Sequence, residues 1–333
     1  MPSLVVSTVG RVQGKSVQAL TMRPTAVLPV DLAANAAGDF VIAAAGTNAV
    51  EVSWPFDSAH ARADAGLDLR DAGFSFADGG ADNRVFLKGQ PVAVVSRGDE
   101  FVVVEREPAG LAFITKGTDE PVEVALSGAS VESTGHRIFH QATSANIACA
   151  SCHPEAGDDE HVWQFAEGAR RTPTLRGGLS QTAPFHWSGD LPTMPALVSD
   201  VMVRRMSGNR QSDYRTSALL AWLDSQNALP APPVNRDSAA RGEALFNNAQ
   251  TQCASCHVGP QGTNNASTNV GTSGVFQVPR LVELGWRTQW FHDGRIATAA
   301  DRFGAAGGGE LHGHTSQLTA QDKADLVEYL KTR

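Results

Sequence analysis

The sequence predicts a multidomain β + α protein, with an N-terminal antiparallel β region that is partly propeller-like and two all-α domains after it. Three observations predict it. Short β-branched runs bounded by Gly, Asp, Asn and Pro fill residues 1–130. From about residue 131 the period-two runs give way to helical spacing, and nine of the ten His lie from His136 onward. In that second region one set of motifs occurs twice, on either side of a proline-rich link.

The β runs lie at residues 4–6, 26–30, 40–46, 92–95, 100–104 and 111–114. They contain a faint internal repeat. Pro24-Thr25-Ala26-Val27, Gly38-Asp39-Phe40-Val41 and Val50-Glu51-Val52 in the first copy match Pro91-Val92-Ala93-Val94, Gly98-Asp99-Glu100-Phe101 and Leu111-Ala112-Phe113 in the second. Blades of a β-propeller take about 40–50 residues each and propellers have at least about four. The expectation is therefore an incomplete propeller, with a small β-sandwich as the alternative. The Ala-, Asp- and Gly-rich stretch between Ser53 and Arg84 reads as a surface insertion carrying an exposed His60.

The duplicated motif is Cys149-Ala150-Ser151-Cys152-His153, repeated as Cys253-Ala254-Ser255-Cys256-His257. C-x-x-C-H is the attachment signature of a c-type haem. The two thiols add to the porphyrin vinyl groups, and the adjacent His supplies an imidazole nitrogen to the iron. Two covalently bound haems are expected, on Cys149 and Cys152 and on Cys253 and Cys256, with His153 and His257 as proximal ligands. Zinc ribbons set their Cys pairs about 15–20 residues apart, whereas these pairs are about a hundred apart. The sequence has no Walker loop, dinucleotide fingerprint or G-x-S-x-G.

The repeat extends around each motif. Gly135-x-x-x-Phe139 and Gly242-x-x-x-Phe246 predict a helix before each, with Phe one turn along. Pro173 follows His153 by 20 residues and Pro279 follows His257 by 22; His186 and His292 each come 13 residues after the Pro. Both His follow a Phe, in Phe185-His186 and Phe291-His292. Closing helices are predicted near 214–225 and 319–331, the second opened by Thr319 and Asp322 in a capping-box pattern. The two units read as class I-like cytochrome c domains at 131–230 and 236–333, after a β segment at 1–130. Pro230, Pro232 and Pro233 make a stiff link between them.

Net charge is −8, so a basic nucleic-acid footprint is absent. No apolar run approaches the ~18 residues that read as a membrane span. All four Cys lie in the two motifs, leaving none for disulfides. Haem attachment to this motif takes place outside the cytoplasm, so a periplasmic or envelope location is expected. The chain opens Met-Pro-Ser-Leu-Val-Val-Ser without a basic n-region and apolar h-region. The export signal is expected to lie outside this chain, or the chain to be the C-terminal part of a longer protein.

Over residues 132–333 the sequence resembles the bacterial dihaem cytochrome c peroxidase family and its relatives. The resemblance rests on the two C-x-x-C-H motifs, Arg171-Thr172-Pro173-Thr174-Leu175-Arg176, Ala183-Pro184-Phe185-His186-Trp187-Ser188-Gly189 and Phe291-His292-Asp293-Gly294-Arg295. It implies one haem for electron transfer and a second able to meet peroxide; some relatives are fused to a β-propeller. It places a distal Met on the first haem at Met202, or at Met206 one turn further on the same helix, with Met194 nearby. The second half departs from the pattern, because no Met follows Met206. His312, and after it His314, are its distal candidates; otherwise the second iron is open. His186 and His292 are candidates for hydrogen bonds to a propionate or a backbone carbonyl, and Arg176, Arg280 and Arg295 for pairing with propionates. Trp163, Trp187, Trp286 and Trp290 are candidate electron relays or packing, and His161 a minor distal candidate in an exposed acidic loop.

The expected activity is peroxidase-like electron transfer between two haems, with a redox partner protein or quinol-linked donor and hydrogen peroxide or another small substrate. The catalytic residues stay unassigned. The alternatives are a pure electron carrier, whose β region is a docking module and whose irons are both closed, and a truncated fragment with a structural or binding role.

Overall fold

The computed structural model describes residues 8–13, 16–21, 26–53, 84–116, 118 and 120–333. The run at 4–6, Pro24, Thr25 and the segment containing His60 lie outside the described residues. The chain divides into two compact units: Met1–Ser151 with Arg205–Asn209, and Cys152–Arg204 with Arg210–Arg333.

The first unit opens with an antiparallel hairpin, β1 (Thr8–Gln13) and β2 (Ser16–Thr21). Two four-stranded antiparallel sheets follow. One is β3 (Pro29–Ala34), β4 (Phe40–Ala44), β5 (Ala49–Ser53) and β6 (Arg84–Phe86); the other is β7 (Pro91–Arg97), β8 (Glu100–Glu105), β9 (Gly110–Thr115) and β10 (Val122–Ala125). In both sheets the strands neighbour one another in chain order.

The repeat is real but shifted. Register slips between Pro29 and Asp31 in the first sheet and between Pro91 and Ala93 in the second. Pro29, not Pro24, therefore occupies the position of Pro91. The physical reason is the bulge: proline has no N–H for the ladder and is tolerated where pairing is broken. The first hairpin of each sheet turns at a glycine with positive φ, Gly38 at 87° and Gly98 at 67°. Among the described residues the sheets are open, and no closed barrel or propeller is formed.

Alternate residues of the central strands build the core. Val41, Ala43, Val50 and Val52 of the first sheet form one cluster with Val94, Phe101, Val103, Ala112 and Ile114 of the second. β4 is buried on both faces, because Phe40, Ile42 and Ala44 pack with Ala26 on the other side. Asp31 Oδ2 accepts the Val94 amide at 2.8 Å, which ties one sheet to the other. Helix α1 (Thr134–His140) follows the sheets, capped by Ser133, whose side chain accepts the His136 amide. Ile138 and Phe139 are fully buried, as the Gly-x-x-x-Phe spacing predicts.

The second unit is built from short helices and turns. A hairpin of β11 (Val162–Phe165) and β12 (Gly168–Arg171) leads to helix α2 (Met194–Leu197), which runs on as a π-helix over Val198–Arg205. Helix α3 (Asp213–Ser225) buries Thr216, Leu219 and Leu223. The proline link follows without regular structure; Trp286 Nε1 donates to Pro230 O at 2.8 Å. Then come α4 (Arg236–Phe246), α5 (Cys253–Cys256), the two-residue strands β13 (Ser267–Thr268) and β14 (Phe276–Gln277), and α6 (Ala320–Leu330).

Helices α4 and α6 cross closely because of Gly242. A Cβ there would lie 2.0 Å from Asp325 O and 2.9 Å from Tyr329 Cβ. Phe246, Leu326 and Tyr329 are buried at the crossing, each contributing roughly 1.5–3 kcal/mol by burial. Asp325 is buried beside it, accepting from Ser238 Oγ at 2.5 Å and from Arg241 Nε at 2.7 Å. Thr319 and Asp322 form the expected capping box, each side chain accepting the other's backbone amide.

Candidate haem sites

The two C-x-x-C-H segments take different local forms: a 3₁₀ turn over Cys149–Ser151 and the α-turn α5 over Cys253–Cys256. The division between the two units falls inside the first motif, after Ser151. No cysteine is in a disulfide. Burial pushes the Cys149 thiol up to about 11 and raises Cys253 as well. Among the described residues no group of three or more His, Cys, Asp or Glu could hold a metal ion by itself.

The adjacent histidines are oriented alike. His153 Nδ1 lies 3.2 Å from Gly157 O, and His257 Nδ1 lies 2.8 Å from Gly262 O. A carbonyl oxygen can only accept, so Nδ1 carries the proton and Nε2 keeps its lone pair. Burial lowers the pKa of both imidazoles, which keeps them neutral. Each thus keeps an Nε2 lone pair able to bind a metal.

The loops behind the two histidines also correspond. Leu175 N donates to Ala156 O at 2.7 Å and Leu281 N to Gln261 O at 2.9 Å, each two residues after its Pro. Isolated bridges join Phe185 to Leu191 and Trp290 to Ile296. The two segments pair reciprocally: Arg171 N donates to His292 O at 2.6 Å, and Gln277 N to Trp187 O at 2.8 Å.

Arg280, one of the three arginines singled out in the sequence, is 8% exposed, and its Nη2 donates to Thr174 O at 2.8 Å. Its Nη1 is buried without a partner, and burial pushes its pKa down to about 10. Arg176 binds the carbonyl of Glu155 at 2.8 Å and lies 3.6 Å from Glu283. Arg295 is engaged by the Asp293 carboxylate, with Nη2 to Oδ2 at 2.7 Å. His186 Nδ1 is 3.4 Å from Asp190 Oδ1. His292 is buried and stacks on Phe276 with ring centroids 3.7 Å apart. Trp187 Nε1 donates to Arg171 O, Trp163 Nε1 to Thr172 Oγ1, and Trp286 is 52% exposed. His161 is exposed and set edge-on to Trp163.

Three further arginines, outside the candidates named from the sequence, are withdrawn from water. Arg171 is 1% exposed and pairs with Asp158 at 3.1 Å. Burial pushes Arg287 down to about 10, with the Arg171 charge adding to the shift. Arg302 is desolvated and its charge bears on Cys253, His257 and His312. Arg171 opens the segment Arg171-Thr172-Pro173-Thr174-Leu175-Arg176; Arg287 and Arg302 stand in no pattern. Among the described residues, Arg171 Nε, Arg280 Nη1, Arg287 Nε, Arg302 Nη1 and Trp290 Nε1 are buried donors without a partner. Each such donor costs about 1–3 kcal/mol if left unmade. Anionic groups of a buried cofactor would satisfy them, so the residues present fit a haem with its propionates.

The distal candidates are distributed as follows. Met194, Met202 and Met206 are all buried. Met202 lies in the π-helix, a rare form that is frequent at functional sites. Met206 is not on that helix, which stops at Arg205; the wider π turn ends the element one residue short of it. Met202 and Met206 also belong to different units. In the second half His312 ends a 3₁₀ turn and its ring centroid is 6.3 Å from that of His257.

Antiparallel sheets at the N-terminus and a helical, cytochrome c-type region at the C-terminus define the class of protein. Residues 239–333 match the cytochrome c family, which implies covalently bound c-type haem in that region. The chain is similar to hydrazine synthase subunit gamma of Kuenenia stuttgartiensis, 23% identical over 56% of this chain and 72% of the relative. Its fold is similar to a chain in a structure of K. stuttgartiensis hydrazine synthase under xenon pressure. The TM-score is 0.55 at 19% identity, covering 65% of this chain and 100% of that one. A MauG-like protein associated with microbial copper homeostasis matches with a TM-score of 0.47 at 17% identity, covering 60% of this chain and 87% of that one.

Proposed function

We propose that this chain is a dihaem c-type cytochrome that passes electrons between two covalently bound haems as a peroxidase-like oxidoreductase. The observation that carries the reading is the matched pair His153 and His257, each beside two thiols and each holding its Nδ1 on a backbone carbonyl. The chain's own residues bind and orient: four thiols anchor, two imidazoles present Nε2, and buried arginines such as Arg280 offer unpaired donors. A haem so held supplies one-electron redox chemistry and, where a coordination position is open, a site for a small oxidant such as peroxide. The likeness to a subunit of hydrazine synthase supports an enzymatic setting.

Under this reading residues 131–230 and 236–333 are two cytochrome c domains, and residues 1–130 are a propeller-like segment that is incomplete. The face-packed four-stranded meanders support the blade reading. The place of action is the periplasm or cell envelope, with a redox protein or quinol-linked donor. Phe86, Val95 and Val122, on separate strands of the sheets, are 59%, 58% and 67% exposed. That apolar surface favours a second reading, in which the β region docks a partner and the irons only relay electrons.

Intact mass and haem staining of the matured protein test the proposal. Wild type should carry two haems; Cys149→Ser with Cys152→Ser, and Cys253→Ser with Cys256→Ser, should each carry one. Peroxide-dependent oxidation of a reduced donor should accompany the two-haem form. A single haem in wild type sinks the dihaem reading, and two haems without peroxide turnover leave the carrier reading in its place.

A further inference from the structure

His257 Nδ1 and His312 Nδ1 are both committed, to Gly262 O at 2.8 Å and to Gly307 O at 3.0 Å. Both rings are therefore the same tautomer, with a lone pair on Nε2 and no proton there. They cannot hydrogen-bond to one another, since neither Nε2 can donate. Their centroids are 6.3 Å apart and the rings are tilted by 47°, so they do not stack face to face.

That spacing has a natural occupant. An imidazole nitrogen sits about 2 Å from its metal, and the ring centre lies about 1.1 Å behind the nitrogen, so two imidazoles on opposite sides of one ion have centroids about 6.2 Å apart. The 6.3 Å separation seen matches that arrangement.

The segment carrying His312 is also built to stay beside the attachment cysteines. His314 N donates to Thr251 O at 2.9 Å, two residues before Cys253. Thr315 N and Ser316 N both donate to Glu310 Oε1, at 3.0 and 2.8 Å, which closes the loop. Gly313 has φ +88°, and a Cβ there would lie 2.9 Å from Thr251 O and 3.8 Å from Cys253 Sγ. Phe246 flanks His257 and Phe291 flanks His312, with centroids at 6.4 and 5.5 Å.

We propose that His257 Nε2 and His312 Nε2 are the two axial ligands of the second haem iron. This rests on the dihaem reading above and deepens it by assigning roles. An iron held by two imidazoles has no position for a small substrate. The second haem is then an electron relay of lower potential than a Met-ligated haem, and any substrate chemistry belongs to the first half.

The test uses the matured full-length protein, with EPR of the oxidised form and carbon monoxide titration of the reduced form. Wild type should show a low-spin signal of the bis-imidazole type. His312→Ala should convert that haem to high spin and bind one more carbon monoxide per chain than wild type. His312→Met should stay low-spin but gain a sulfur-to-iron charge-transfer band and a higher potential. If His312→Ala does not accumulate, the Met variant decides alone. Two attached haems with spectra and carbon monoxide uptake unchanged in the variants would overturn the assignment. Absence of haem on Cys253 and Cys256, read by peptide mass, would instead remove the dihaem reading and this assignment with it.

Discussion

The buried histidines of this chain show how desolvation ties an imidazole to pH. Burial is the main cause that pushes His292 down to about 4 and His312 down to about 3. In the unfolded chain both would titrate near the ordinary value of 6.5. Below that pH the unfolded state binds protons that the folded state refuses, so stability is present above about 6.5 and is lost as the pH falls toward the folded values. His292 is the cleaner probe, because it stacks on Phe276 and offers its backbone carbonyl to Arg171. His292→Phe keeps the stack and removes the titration. Denaturant midpoints of the haem-free protein should fall between near-neutral and mildly acidic pH in wild type and fall less in the variant. Equal slopes would show that His292 does not contribute.

Among the elements, the crossing of α4 and α6 depends on the smallest side chain available. In an isolated helix Gly242→Ala would gain about 1 kcal/mol from propensity. Here the added Cβ would meet the Asp325 carbonyl oxygen at 2.0 Å, a backbone atom that cannot rotate away. Overpacking typically costs about 1–3 kcal/mol, and a rigid obstacle puts this site at the upper end. The net effect should be destabilisation, read as a lower urea midpoint with unchanged slope. A stabilised Gly242→Ala protein would mean that the helices separate without cost. The Gly-x-x-x-Phe spacing announced a helix with an aromatic one turn along, and both α1 and α4 are present. It did not announce that Gly242 is a contact point, since the obstacle comes from a helix more than eighty residues later.

For the whole molecule, two haems should make two electron equivalents. Reductive titration of matured wild type should consume two per chain, and the Cys253→Ser with Cys256→Ser variant one. The two equivalents should be taken up at separated potentials, because the candidate second ligands differ: sulfur of Met202 or Met206 in the first half, nitrogen of His312 in the second. A single two-electron wave at one potential would count against that asymmetry.

Local chemistry was legible in the sequence. C-x-x-C-H, a Pro at matched distance, Phe-His, the capping box at Thr319 and the helical or β texture of each region depend on neighbours within a few residues, so spacing reveals them. The bulge at Pro29 could not be read, because it depends on strand pairing, and the sequence pattern pointed to Pro24 instead. The end of the Met202 helix was equally hidden, since nothing in 198–206 marks a π-helix that stops at Arg205. Arg171, Arg287 and Arg302 look like ordinary surface charges until tertiary packing removes their water and leaves donors unpaired. The same holds for His312. The sequence by itself determined that this residue was available; only the tertiary structure brought its ring to 6.3 Å from His257, because that distance is set by a loop anchored to Thr251 sixty residues away.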